Sequence, residues 1–177
     1  MNLDFNQDFF ALLEQPRSYR VDIAQLDKAY HELQSQVHPD RYAHSPDADR
    51  RLSMQWSTQV NEAYRTLKHP LQRARYLLKL AGVDTEHESN TAMPAAFLVE
   101  QMEWREAVAE ARAAGDHHEL EKLMLRLQHQ ASDIRDEIER DIDEAKNYAA
   151  AADALRRLMF VEKLEQEIDE ALQALES

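Results

Sequence analysis

The sequence contains no cysteine, which excludes disulfides, thiolate-ligated metals and cysteine nucleophiles, and nothing in it calls for an oxidising compartment. Glycine and proline are scarce as well, at 2 and 5 in 177 residues. A β-sandwich or barrel needs many tight turns rich in those residues, so an all-α chain is expected instead. Long apolar runs are missing too. Residues 1–10 carry acids and lack both a basic start and an extended apolar stretch, so neither a signal peptide nor a membrane span is expected, and a cytoplasmic location follows.

Positive charge is in short supply, and unevenly so. The net charge is -13, but residues 1–82 hold 11 Lys+Arg against 10 Asp+Glu, while residues 83–177 hold 10 against 24. That asymmetry suggests two modules. An acidic half argues against nucleic acid, because phosphate binding needs clustered cations that release counterions. With 44% apolar residues the chain can still bury a real core.

Helical spacing organises what is present. Asn6 is expected to cap a short helix carrying Phe9, Phe10, Leu12 and Leu13, which Pro16 closes. Asp22 opens a second helix with Ile23, Leu26, Ala29, Tyr30, Leu33 and Val37 inward, and Pro39 ends it at His38. A polar loop over residues 41–49 leads to a third helix from about Arg50 to Lys68, with Trp56, Val60, Ala63, Tyr64 and Leu67 facing back onto the second. Pro70 starts a fourth, with Ala74, Leu77 and Leu78 inward, which Gly82 terminates. Residues 83–93 are polar and without apolar period, the expected linker between domains at 1–82 and 94–177.

Three long amphipathic segments follow, over residues 94–114, 116–147 and 149–175, and a three-helix bundle buries all their stripes most simply. The second carries Leu120, Leu123, Leu127, Ala131, Ile134, Ile138, Ile142 and Ala145; the third carries Leu155, Leu158, Val161, Leu164, Ile168, Leu172 and Leu175. The first has two apolar faces. At 100° per residue Phe97, Trp104, Val108 and Ala111 form one stripe, and Leu98, Val99 and Met102 form another nearly opposite, bordered by Glu103, Glu106 and Glu110. A bundle core needs only one face of each helix. The second stripe is therefore either an exposed protein-binding patch or a contact with the N-terminal domain.

His38-Pro39-Asp40 is the motif that carries chemistry. The tripeptide arises by chance in a chain this long about once in a hundred. Pro39 stops the helix and sets the turn, His38 stands at a helix C-terminus, and Asp40 projects a carboxylate beyond it that can clamp an arginine of another protein. A helix cap followed by a turn-favouring acid would use the same residues with no partner at all.

Tyr30, Leu33, His38-Pro39-Asp40-Arg41, Asn61-Glu62-Ala63-Tyr64 and Leu67 together resemble the J-domain family. Phe9-Phe10-Ala11-Leu12-Leu13, His69-Pro70-Leu71, Arg73-Ala74 and Tyr76-Leu77-Leu78 extend the resemblance, over essentially the whole chain, to the iron–sulfur cluster co-chaperones of the HscB type. The resemblance implies a non-enzymatic adaptor with an N-terminal J-domain, a helical hairpin plus short helices, followed by a C-terminal three-helix domain. Its J-domain would stimulate the ATPase of an HscA-type chaperone through His38, Pro39, Asp40, Arg41 and Lys28. Its C-terminal domain would present an IscU-type scaffold through Leu98, Val99, Met102, Glu103, Glu106, Glu110 and Phe160. Two positions depart from the family pattern: Val37 stands where an aromatic residue commonly precedes the histidine, and Lys28 is the only basic residue between Ile23 and Val37. Docking through this face is then either weaker or draws on Arg17, Arg20 and Arg41 at its ends.

No cofactor and no metal are expected. His117, His118 and His129 do not share a face closely enough for one ion, and no nucleophile–base arrangement supports an enzyme. A monomer is expected. Two other readings compete: a self-associating acidic adaptor in which His-Pro-Asp is incidental, and a general J-protein of the main housekeeping chaperone. The second is disfavoured by the lack of a Gly/Phe-rich or zinc-binding segment after Gly82.

Overall fold

A computed structural model describes residues 4–83, 85 and 94–175. Most of the expected linker, 83–93, lies outside the described residues. Among those described, every regular element is helical. The chain divides into two compact units, Met1–Leu77 and Leu78–Ser177.

The N-terminal unit is organised by its breakers. Asp8, not the expected Asn6, caps α1 (Phe9–Leu12): its Oδ1 accepts from the Ala11 amide at 3.0 Å, and Arg17 pairs with its other oxygen. Asn6 instead donates to Asp4, two residues upstream. Asp22 caps α2 (Ile23–Val37), accepting from the Ala24 and Gln25 amides. Pro39 then ends α2 and opens a 3₁₀ turn over Pro39–Tyr42, so the expected polar loop is partly structured. α3 (Asp47–Lys68) begins three residues before the expected start, behind Pro46.

Polar pairs fix α2 and α3 as an antiparallel hairpin. Tyr64 donates to Asp27 at 2.8 Å, Tyr30 to Asn61 at 3.0 Å, Gln34 to Ser57 at 3.2 Å, and Ser53 to the Val37 carbonyl at 2.7 Å. As one partner's number rises the other's falls, which defines the register. Only Leu26 and Val37 of α2 are buried, and Ile23 at the helix start is exposed. Trp56, Val60, Ala63 and Leu67 of α3 supply much of the remaining core. α4 (Pro70–Leu80) returns Tyr76 to α1, where its ring stacks on Phe9 and its hydroxyl accepts from the Phe9 amide. Arg73 is buried because its guanidinium donates to the Leu67 carbonyl at 2.7 Å and lies over the Tyr19 ring.

The C-terminal unit is the expected bundle of three helices, α5 (Ala95–Ala114), α6 (His117–Glu139) and α7 (Tyr148–Leu175). Gly115 closes α5 at φ 62°, with its own amide on the Arg112 carbonyl and the Asp116 amide on Ala111, a Schellman ending that a side chain would strain. Leu120, Leu123, Leu127, Ala131, Ile134, Ile138 and Ile142 are all buried, against Leu155, Leu158, Val161, Leu164 and Ile168 of α7. Each such Leu or Ile contributes roughly 1.5–3 kcal/mol on leaving water. The expected single helix over 116–147 departs from α geometry at its end. Residues Arg140–Glu144 form a π turn, in which the Ala145 amide reaches back five residues to Arg140, and Ala145 is exposed instead of continuing the stripe. Leu175 is likewise exposed at the end of α7.

Candidate functional site

The His38-Pro39-Asp40 turn stands at the end of α2, where the last four carbonyls of the helix have no helical donor. Pro39 can supply none. Side chains do so instead: Arg41 donates to the Ser35 carbonyl at 3.5 Å, Tyr42 to Gln36 at 3.1 Å, and Ser53 to Val37 at 2.7 Å. The His38 ring turns back on its own loop, its Nδ1 accepting from the Asp40 amide at 3.3 Å. In the neutral ring that contact leaves Nε2–H as the outward donor. Asp40 is almost wholly free, its side chain 92% exposed and its carboxylate 3.7 Å from His38 Nδ1. Arg41 is exposed beside it. The result is a hydrogen-bonded turn presenting one carboxylate, one imidazole and one guanidinium to solvent, suited to binding a charged surface.

Lys28 lies on the exposed side of α2, two turns and more before the motif, and its nearest anion is Glu32 at 3.9 Å. Sequence reasoning missed Ser53, Ser57 and Tyr42. A signal for the first existed: Ser53 occupies the position that extends the 56-60-63-67 stripe of α3 by one more step, and a hydroxyl at a core position asks for a buried partner.

The second site lies on α5. Leu98, Val99 and Met102 are 48%, 55% and 71% exposed, while Phe97, Val108 and Ala111 on the other stripe are buried. Glu103, Glu106 and Glu110 are exposed along the border of that patch. The buried stripe is tied to α6 by Gln130, which donates to Glu100 at 2.8 Å, and by Arg126, whose guanidinium sits 4.8 Å from the Trp104 ring centre. Phe160 of α7 is set apart from the other six residues of this group. It is half-buried, edge-to-face with Phe97 at 5.8 Å and beneath the Arg105 guanidinium, so it packs on the core side of α5 while keeping part of its ring accessible.

Among the described residues no group of three His, Asp or Glu side chains is placed to hold a metal ion, and no helix is long and apolar enough to cross a membrane.

Residues 8–76 match the DnaJ domain, and residues 93–169 match the HSCB C-terminal oligomerisation domain. A co-chaperone protein HscB homolog of Aromatoleum aromaticum is 62% identical over 177 residues, covering 100% of both chains. The chain belongs to the HscB co-chaperone family. Solved members of the family share its architecture. Human co-chaperone protein HscB superposes with a TM-score of 0.89 at 31% identity, over 95% of this chain and 83% of the human one. Chaperone HscB from Vibrio cholerae gives 0.85 at 30%, over 96% and 99%. The hairpin with its His-Pro-Asp turn is thus a J-domain, and the bundle is the family's C-terminal helical domain.

Proposed function

We propose that this co-chaperone acts in iron–sulfur cluster biogenesis in the cytoplasm. Its J-domain, residues 1–82, stimulates the ATPase of an HscA-type chaperone, and its C-terminal domain, residues 94–177, delivers an IscU-type scaffold, with residues 83–93 as linker. The protein catalyses no reaction itself. His38, Pro39, Asp40 and Arg41, with Lys28 behind them, meet the chaperone; Leu98, Val99, Met102, Glu103, Glu106, Glu110 and Phe160 meet the scaffold.

One observation supports this most: the same chain carries an exposed, hydrogen-bonded His-Pro-Asp turn and, on α5, an apolar stripe left uncovered opposite the one its bundle buries. A general J-protein has no need of the second feature. The test is a steady-state ATPase assay of an HscA-type chaperone with this protein, the scaffold, or both. Synergy between the two is expected, and simple additivity would overturn the adaptor reading.

The matched C-terminal family bears oligomerisation in its description, which favours a second reading in which the α5 patch pairs with another copy of this chain. Light scattering separates the two. A monomer that binds scaffold through the patch supports the adaptor, and a dimer that dissociates on substituting Met102 supports self-association.

A further inference from the structure

We propose that Ser53 is a positioning residue for the His-Pro-Asp turn, setting the orientation of His38 through the Val37 carbonyl. This rests on the chaperone-stimulating role of that turn. Ser53 is 4% exposed on the buried face of α3, and its hydroxyl donates at 2.7 Å to the last carbonyl of α2. That oxygen belongs to the peptide plane that joins Val37 to His38. Holding that plane in place fixes the side from which His38 leaves the helix, at φ -58°, while Pro39 keeps the His38 ψ extended at 131°; together these set the direction in which Pro39 and Asp40 depart.

The other two ties to this helix end come from Arg41 and Tyr42, which belong to the turn and its 3₁₀ continuation and so move with it. Ser53 instead comes from α3, and it alone of the three anchors the turn to the hairpin. A surface cleft of about 270 Å³, lined by Val37, Tyr42, Leu52, Ser53 and Trp56 among others, lies beside this hydrogen bond. Without the hydroxyl the buried Val37 carbonyl loses its partner, and the turn relieves this by rotating toward water.

The experiment compares Ser53→Ala, Ser53→Thr and Val60→Ala with the unaltered full-length protein. It records stimulation of an HscA-type ATPase against co-chaperone concentration, at a temperature where circular dichroism shows all four folded. It also records backbone ¹⁵N order parameters for His38, Asp40, Arg41 and Tyr42. Ser53→Ala is expected to lower maximal stimulation about five- to tenfold, the worth of one buried hydrogen bond, and to lower the order parameters of those residues. Ser53→Thr keeps a hydroxyl and should restore both. Val60→Ala, a core truncation away from the turn, should change neither. Reduced stimulation in Ser53→Ala that Thr does not rescue, or an equal reduction in Val60→Ala, would make Ser53 a stability residue and overturn the proposal. Unchanged order parameters in Ser53→Ala would overturn it as well. If the unaltered protein stimulates no chaperone, the functional reading fails, while the order parameters still decide whether Ser53 holds the turn.

Discussion

The two candidate sites are built from the same material, an amphipathic helix, yet depend on different physics. In the J-domain the candidate surface is a turn of three residues whose shape comes from hydrogen bonds between side chains and the backbone at the end of α2. In the C-terminal domain it is a stretch of side-chain area along α5, and the backbone beneath is ordinary helix. A site made of geometry is concentrated: one group in the wrong place removes it. A site made of area is distributed, and weakens in proportion to what is cut away.

That contrast is broken most directly at Asp40. Replacing it with Asn keeps size and turn propensity but removes the charge. ATPase stimulation is expected to fall by about two orders of magnitude, the worth of a charge-assisted hydrogen bond across an interface. The melting temperature should stay within about 1 °C, since a side chain 92% exposed contributes little to stability. His38→Gln should behave alike. Retained stimulation in either variant would show that the turn is incidental.

The α5 patch should respond by degrees. Leu98→Ala, Val99→Ala and Met102→Ala each remove two or three exposed carbon-sized groups, worth about 0.8 kcal/mol apiece when fully buried; with roughly half of that realised at a partner surface, single variants should weaken scaffold affinity about three- to tenfold and the triple variant on the order of a hundredfold. Basal chaperone stimulation without scaffold should be untouched. Isothermal titration of the four variants against the unaltered protein reads this. If any one substitution abolishes binding alone, the site is a hot spot and the contrast with the turn disappears.

How far each site could be foreseen follows the same division. Proline and glycine act locally, so Pro39 and Pro70 mark helix ends in the sequence, and Gly82 and Gly115 do the same at positive φ. The α5 patch was legible because helical angle is a property of one segment: Leu98, Val99 and Met102 fall opposite Phe97 and Val108 whatever the tertiary fold. The tethering of the turn was not legible, because Ser53 acquires its meaning only when α3 folds back on α2. The choice of Asp8 over Asn6 as a cap was hidden for a similar reason. Both are good capping residues, and the partners that surround Asp8 in the fold, Arg17 on its carboxylate and the Tyr76 hydroxyl accepting from the next amide 67 residues away, are not visible in the local sequence. The π turn at Arg140 follows an unbroken 3-4 apolar spacing, with no glycine or proline to announce it.

A smaller effect is expected from salt. Glu103, Glu106 and Glu110 border the patch without entering it, so their attraction to a basic scaffold surface is exposed to screening. Raising sodium chloride from about 0.05 to 0.5 M, where the Debye length falls well below 10 Å, should weaken scaffold binding several-fold and mostly through slower association. A flat response in stopped-flow association would assign the binding to the apolar side chains alone.

The smallest effect separates the two domains by the sign of their response to acid. In the J-domain the Asp27 carboxyl is held below its ordinary value of 3.8 by the Tyr64 hydroxyl it accepts from and by the Lys68 ammonium. A lowered folded-state pKa means that this contribution to stability is present above pH 3.8 and is lost as pH falls through the folded value. In the C-terminal domain the Glu165 carboxyl is pushed above 4.5 by burial, which the nearby Arg135 only partly offsets and Glu162 reinforces. Its sign is opposite. The folded bundle takes up that proton more readily than the unfolded chain does, so the contribution of Glu165 grows as pH drops through its raised value and fades as pH rises through it. Acidification should therefore favour the bundle at Glu165, starting above pH 4.5, and loosen the hairpin at Asp27 only below pH 3.8. Carboxyl ¹³C titration by NMR reads both groups in one experiment. Glu165→Gln should remove the first effect and raise bundle stability at pH 7, while Asp27→Asn should flatten the second; midpoints for the two carboxyls in the reverse order would show that the hydrogen-bonded clasp, not the buried acid, is the strained one.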